Sequence, residues 1–408
     1  MNFKMIYVIN LISLFLVLAF CALYYGMFAD NSFAGYIDDI IPLILGVVGL
    51  YAMFKGNMSK FDMELFWWIA AICVIGIISN LANDIVSNYS YVVNDMFSFL
   101  KMFLSYWGVR ALFNGKENRI NNFLSGISVI AKIFIIVIFI FGLLNLLGFV
   151  EMYDEIRFGI KNYYFIMGNA SQFGVITGVA LALIILSGKS NIIYEIMACT
   201  VLIMTAKGMS LIILSVYVVL NLFGGRKIKL WHFLLLGIVL IFVLNYQLTN
   251  YLLDESAPRA LLLRYGLKTA VDYFPLGAGF AAFGSNMAAV HYSPLYVRYG
   301  FRTNSALTTL DKNEMGTALN DAYLGMSLGQ FGILGTICLF VVFTKIGQKL
   351  VKSNYENKKA HNICIACFIC FCGMAIMAGS IKGSCGQLIL AVLAIYFSIC
   401  EKEQETQN

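Results

Sequence analysis

The sequence predicts an all-α, polytopic membrane protein with about twelve transmembrane helices, and three observations carry that expectation. Hydrophobic residues fill 60% of the 408 positions and charged residues only 12%, far from the balance of a soluble domain. The mean hydropathy of +0.81 points the same way. Apolar runs also recur at the length needed to cross about 30 Å of hydrocarbon, roughly 20 residues at 1.5 Å each, with every backbone group satisfied inside the segment.

In chain order the runs fall near residues 5 to 25, 38 to 54, 65 to 82, 92 to 113, 127 to 150, 168 to 187, 191 to 206, 208 to 223, 230 to 247, 322 to 344, 361 to 379 and 384 to 400. The first follows a single lysine and lacks a small-residue cleavage site, so it reads as a retained signal anchor. Asp95 and Lys101 interrupt the fourth. The seventh and eighth read either as a tight helical pair or as one broken helix. All ten cysteines lie in or at the ends of these runs, which implies no disulfide framework. Cys364, Cys367, Cys370 and Cys372 mimic the spacing of cluster ligands, but CIACFICFC is a continuous apolar helix, so core packing is expected and no metal or cofactor.

Lysine and arginine set the orientation. With the N-terminus cytoplasmic, sixteen fall on the inner side: Lys4, Lys55, Lys60, Arg110, Lys116, Arg119, Lys189, Arg226, Lys227, Lys229, Lys345, Lys349, Lys352, Lys358, Lys359 and Lys402. The short outer loops hold four: Arg157, Lys161, Lys207 and Lys382. Both termini are therefore expected in the cytoplasm. The net charge of +6 reflects this topology and is no footprint for nucleic acid, which needs a clustered soluble basic face.

Residues 1–247 then form a nine-span region, 248–321 a long outer loop between spans nine and ten, and 322–408 a three-span region with a cytoplasmic tail. The loop holds three of the four prolines (Pro258, Pro275, Pro294) and six lysines or arginines. Loops of this length usually have a role. Its first part reads as a helix running to Asp272, with Ser256 as N-cap and Pro258 in the first turn, where a missing N–H costs nothing. Arg264 and Lys268, four residues apart, share a face of it, aimed either at a ligand or at the membrane surface.

FPLGAGFAAFGS follows at 274 to 285. It succeeds a helix and not a strand, so it is no dinucleotide fingerprint. Gly277, Gly279 and Gly284 allow a close backbone approach and can aim N–H groups at an anion, or form a plain turn. In HYSPLYVRYGF, Tyr292, Tyr296, Tyr299 and Phe301 alternate with His291 and Arg298, and Arg302 follows. Such a set suits sugar rings and phosphates, and equally a belt at the membrane interface. The loop closes on LNDAYLGMSLGQFGILG, where Asp321 stands either as an N-cap or as an ionisable functional group.

Together RALLLRYGLKTAVDYFPLGAGFAAFGS, YSPLYVRYGF, NDAYLGMSLGQFGILG and, upstream, LIMTAKGMSLIIL resemble the O-antigen polymerase and O-antigen ligase family of bacterial surface-polysaccharide assembly. The likeness is strongest over residues 200 to 345, with Lys207 in the place of the basic residue that follows a threonine. It implies a metal-independent glycosyl transfer at the outer face of the bacterial cytoplasmic (inner) membrane. The donor would be an oligosaccharide on undecaprenyl diphosphate, and the acceptor a lipid-linked repeat unit in a polymerase or lipid A core in a ligase. Membrane lipid and a chain-length regulator are the other expected partners.

On that reading Lys207, Arg259, Arg264 and Lys268 stabilise the departing diphosphate, and Asp321 serves the attacking hydroxyl. Catalysis thus falls to Asp321, Arg264 and Lys207. Substrate contacts fall to Arg259, Lys268, Gly277, Gly279, His291, Tyr292, Tyr296, Arg298 and Arg302. Similar ligases carry a histidine eleven residues before the first glycine of the closing pair, here Gly332 and Gly335; this chain has Asp321 there, which favours the polymerase over the ligase. A transporter or flippase is the reading from another class: twelve spans suit it, and Asp95, Lys101 and Lys132 would mark its path, but no paired broken segments show in the two halves.

Overall fold

A computed structural model of the chain describes residues 37–115, 117–157, 159–223, 249, 254, 256–304, 307, 318–353 and 355–407. The runs at 5 to 25 and 230 to 247 lie outside them, as do Cys21, Lys4, Lys116, Arg226, Lys227 and Lys229.

The other ten runs coincide with helices: α1 (Ile37–Phe54), α2 (Lys60–Asn83), α3 (Tyr89–Phe113), α4 (Glu117–Leu146), α5 (Ala170–Leu186), α6 (Ile192–Met204), α7 (Gly208–Phe223), α11 (Tyr323–Lys352), α12 (Lys358–Met377) and α13 (Ser384–Gln407). Between α7 and α11 come α8 (Pro258–Asp272) and the short α9 (Asn286–Val290) and α10 (Pro294–Arg298). Among the described residues five helices are long and apolar enough to cross a membrane: α2, α11 and the apolar lengths of α4, α12 and α13. The seventh and eighth runs are two separate helices, α6 and α7, joined through Thr205, Ala206 and Lys207.

One element had no forecast. The stretch between the fifth and sixth runs forms an antiparallel hairpin, β1 (Tyr153–Arg157) with β2 (Ile160–Tyr163), which turns at Gly159 with a φ of 75°. Tyr153 faces Tyr163 and Arg157 faces Ile160.

The core is organised around α13. Of its 18-residue apolar window 83% is buried, against 33% in α2 and α4, so α13 is central and those two are peripheral. Outer faces present Val47, Trp67, Ile133, Ile337 and Phe340, each more than half exposed. Apolar faces of that extent suit hydrocarbon. Cys364, Cys367 and Cys370 are fully buried in the packing of α12.

At one end of the bundle four helices meet in a charged knot. Arg110 and Asp62, both with fully buried side chains, join through the guanidinium Nη2 and Oδ2 at 2.8 Å. Arg110 also donates to the Ser398 hydroxyl at 2.8 Å and to Glu401. Tyr106 donates to Asp62 Oδ1 at 2.7 Å, and Lys349 pairs with Glu401. Lys345–Glu64 and Lys359–Glu195 lie at the same end.

α8 begins as expected at Pro258 and ends at Asp272, but its cap differs. Ala257 is the N-cap, with no side-chain bond, because the Ser256 hydroxyl donates to Asp254 Oδ1 at 2.7 Å. The extended conformation of Ala257 is the one a following proline imposes.

Candidate functional site

At the other end α8 crosses the start of α11 at two glycines. A Cβ on Gly266 would lie 2.3 Å from the Gly325 carbonyl oxygen, and one on Gly325 would lie 2.6 Å from that of Leu262. Only hydrogen at both positions lets the backbones approach so closely. That contact sets Arg259, in the first turn of α8, over Asp321, two residues ahead of α11. Arg259 Nε donates to Asp321 Oδ2 at 2.7 Å and Nη2 lies 2.6 Å from the same oxygen. Burial lifts the Asp321 carboxyl above the usual aspartate range, and the Arg259 charge pulls it back in part. Asp321 is not a helix cap, since that position is Ala322.

Just after α8 the glycine stretch dives into the bundle. α11 is broken at Gly332, whose φ is 61° and ψ −162°. The break frees backbone groups, and residues 275–279 take them: Ala278 N–H donates to the Gly329 carbonyl at 2.8 Å, Gly279 N–H to that of Gln330 at 2.9 Å, and Leu334 N–H to that of Pro275 at 3.3 Å. A Cβ on Gly277 would sit 2.3 Å from Gly332 N. From the other side Asn80 of α2 clasps Phe280, donating to its carbonyl at 2.9 Å and accepting from its N–H at 2.8 Å. Ser79 and Asn83 donate to the Gly277 carbonyl.

Here an expectation needs correcting. The amides of residues 277 to 282 and of 284 all donate within the protein, so none is left to face an anion. Gly277 and Gly279 are therefore a packing joint, buried where α2 and the halves of α11 converge.

Asp95, 2% exposed, belongs to that joint: its Oδ2 accepts from the Ala281 N–H and from Gln330 Nε2, each at 2.7 Å. Lys101 pairs with Asp38 and Asp39 of α1, and Lys132 lies over the Tyr194 ring. Each charge that would mark a transport path thus has an internal partner.

The aromatic segment divides into core and rim. Tyr296 is fully buried and its hydroxyl accepts from Gly284 N–H at 2.7 Å, so it closes the joint and offers no face to a sugar. His291 donates through Nε2 to the Ala281 carbonyl at 2.8 Å and stacks on Tyr91, which together hold its ring in place. Tyr292 is half-buried beneath the Arg302 guanidinium at 5.6 Å. Arg298 is exposed and reaches the Tyr273 hydroxyl at 3.3 Å.

Of the other cations, Lys207 meets Asp154 at 3.2 Å and also Glu155, both on β1. Burial raises the Glu155 carboxyl, but Lys207 and Arg157 outweigh it and hold it below the glutamate range. Arg264 and Lys268 do share an exposed face of α8, between Leu267 and Val271, as a helix lying at a membrane surface would present them. Lys268 lies 5.5 Å from the Tyr299 ring centre. Among the described residues no hydrogen bond or ion pair ties Lys207, Arg264 or Lys268 to the Arg259–Asp321 pair.

Lys382, which the sequence marked only as a loop charge, lies on a turn whose first residue packs beside Asp321. It ends the 3-10 turn Gly379–Lys382 between α12 and α13. That turn packs on the residues before α11, since a Cβ on Gly379 would strike the Asn320 carbonyl and lie 3.5 Å from the Asp321 Cα. Lys382 Nζ then rests 3.1 Å from the Met326 thioether, one turn below Asp321. A lysine among small residues (AGSIKGSCG) was the available signal. Asn80 and Gln330, polar inside apolar runs, were the signals for the joint.

No model of a known protein family matches the chain, and no curated protein matches it.

Proposed function

We propose that the chain is a membrane-embedded glycosyltransferase of the polysaccharide-polymerase kind. It takes a glycan from a polyprenyl diphosphate and adds it to a lipid-linked repeat unit at the outer face of a bacterial cytoplasmic membrane. The carrying observation is the Arg259–Asp321 pair, a partly exposed carboxylate and guanidinium 2.6 Å apart where a bundle rich in spanning helices meets its longest loop. In the transfer, Asp321 accepts the proton of the attacking sugar hydroxyl. The bond between the donor sugar's anomeric carbon and the diphosphate oxygen breaks as the new glycosidic bond forms. Arg259 stands beside both charges: it helps Asp321 stay ionised and offers donors to the diphosphate as its charge grows.

A second observation supports a lipid substrate. A cavity of about 270 Å³ opens between α11 and α12, lined by Tyr323, Ser327, Phe340, Phe343, Phe368 and Ile376 among others. It starts two residues from Asp321 and is mostly apolar, which suits a prenyl chain. Asp321 in the place of the ligases' histidine favours the polymerase reading. The test is a cell whose surface polymer depends on this gene: the wild-type chain restores long polymer and Asp321→Ala, at equal abundance, restores only single repeat units. Normal polymer from Asp321→Ala would overturn the assignment.

A further inference from the structure

The two sides of α8 face different surroundings. Leu262, Gly266, Thr269 and Ala270 are buried, with Gly266 against Gly325 at the start of α11. The opposite side presents Arg264, Leu267, Lys268 and Val271, all exposed. Arg259 meets Asp321 on the α11 side. Lys268 comes about two and a half turns later, so it stands on the side away from that pair.

From this exposed side, apolar surface runs on into a membrane span. Leu267, Val271 and Phe274 are each more than half exposed. The Pro275 carbonyl accepts from the Leu334 N–H at 3.3 Å, which brings Phe274 to the stripe of α11 where Leu334, Ile337 and Phe340 are exposed at three-residue spacing. That stripe belongs to a helix long and apolar enough to cross a membrane. Hydrocarbon that covers it reaches the end of α8.

Cations frame the same patch. Arg298, exposed at the end of α10, reaches the Tyr273 hydroxyl at 3.3 Å, and Lys268 Nζ lies 5.5 Å from the ring centre of the next residue, Tyr299. Arg264 and Lys268 therefore share the patch with a third positive side chain, and the one acid of α8 is Asp272. Among the described residues none of the three cations is in an ion pair. Apolar side chains flanked by such cations beside a span fit a surface with hydrocarbon below and negative charge above. We infer that this side of α8 binds the anionic phospholipid headgroups of the leaflet it borders. Arg264, Lys268 and Arg298 meet the phosphates, and Leu267, Val271 and Phe274 enter the upper acyl chains. The lipid thus seats the helix that carries Arg259 from the side away from Asp321.

The test places the full chain in nanodiscs of phosphatidylcholine, alone or mixed with phosphatidylglycerol, and follows amide hydrogen exchange along α8. With phosphatidylglycerol the α8 amides should exchange about fivefold or more slowly, the worth of one basic side chain at an anionic surface, while exchange in the buried helix α13 stays the same. Arg264→Gln/Lys268→Gln should lose that difference and Arg264→Lys/Lys268→Arg should keep it, at matching unfolding temperatures. Equal exchange in the two discs, or a difference that survives the loss of both charges, overturns the inference. So does protection by inorganic phosphate in phosphatidylcholine discs, which would make a soluble anion the ligand. Protection that follows two copies per disc instead of lipid charge would put a second copy on this side and overturn it too. A glutamine variant that unfolds markedly earlier also overturns it, by making the two charges part of the fold. The inference stands apart from glycosyl transfer: lipid-dependent protection in a chain that never lengthens a lipid-linked glycan would sink the polymerase reading and keep this surface.

Discussion

Each end of the bundle is tied by an arginine and an aspartate from different chain segments, and the two pairs differ in their surroundings. Arg110 and Asp62 show no exposed side chain, and both Asp62 oxygens are engaged, by Arg110, Tyr106 and Ser59. Arg259 and Asp321 have side chains 22% and 34% exposed and meet through Oδ2 alone. A saturated pair shut from water can only hold helices together, because any loosening strands a buried charge. A pair that touches solvent can exchange a partner for a substrate at less cost to the fold. The comparison puts a clamp at one end of α2, α3, α11 and α13 and the proposed reaction centre at the other.

The sharpest way to break that contrast is Asp321→Asn. Polymer formation should fall by about 10²–10⁴, the usual worth of a general base, with the purified protein still folded by thermal unfolding. Next comes Arg110→Ala, which should cost about 3–5 kcal/mol by leaving Asp62 buried and alone, whereas Arg259→Ala should cost under about 1 kcal/mol. Unfolding midpoints in detergent compare them directly, and equal losses would erase the distinction.

Asn80→Ala strips the glycine joint of both its bonds to Phe280, so a loss of about 2 kcal/mol is expected, together with a fall in polymer as α11 and its loop lose register. A fall in neither would show that the joint does not support the site.

The pH profile sharpens the contrast further. Asp321 must be deprotonated to accept a proton, and burial raises its carboxyl. Transfer should therefore grow as pH rises on the acid side, with its midpoint above the ordinary aspartate value of about 3.9. A midpoint at or below that value would place the titrating group elsewhere. The smallest effect belongs to Glu64→Gln, which opens the exposed Lys345–Glu64 pair and should change stability by less than about 1 kcal/mol.

Much of the helical framework was legible because its signal is local. Ten apolar runs could be read from hydropathy, and α8 from a proline followed by helix formers. The hairpin was missed although YDEIRFGIKNYY alternates and carries Gly159 at its turn, because the stretch between two apolar runs was read only as a short loop. Ser256 looked like a cap, and a neighbouring aspartate claimed its hydroxyl.

At the site, Asp321 and Arg259 were singled out one by one, but their meeting depends on a crossing 62 residues apart in sequence. Gly277 and Gly279 were read as open to an anion because spacing shows where backbone is free to bend and not what it bends against. Their actual neighbours, Asn80 and Gln330, were invisible as neighbours for the same reason.

Composition and apolar run length thus determined by themselves that this is a helical chain with spans of membrane length. Hydrocarbon demands long segments with internally satisfied backbone, and that demand is written residue by residue. Tertiary structure alone decided which charges are spent and which remain usable. A lysine or an aspartate looks alike in any loop until packing supplies its partner, and here packing closed Asp62 around Arg110 and set Arg259 over Asp321.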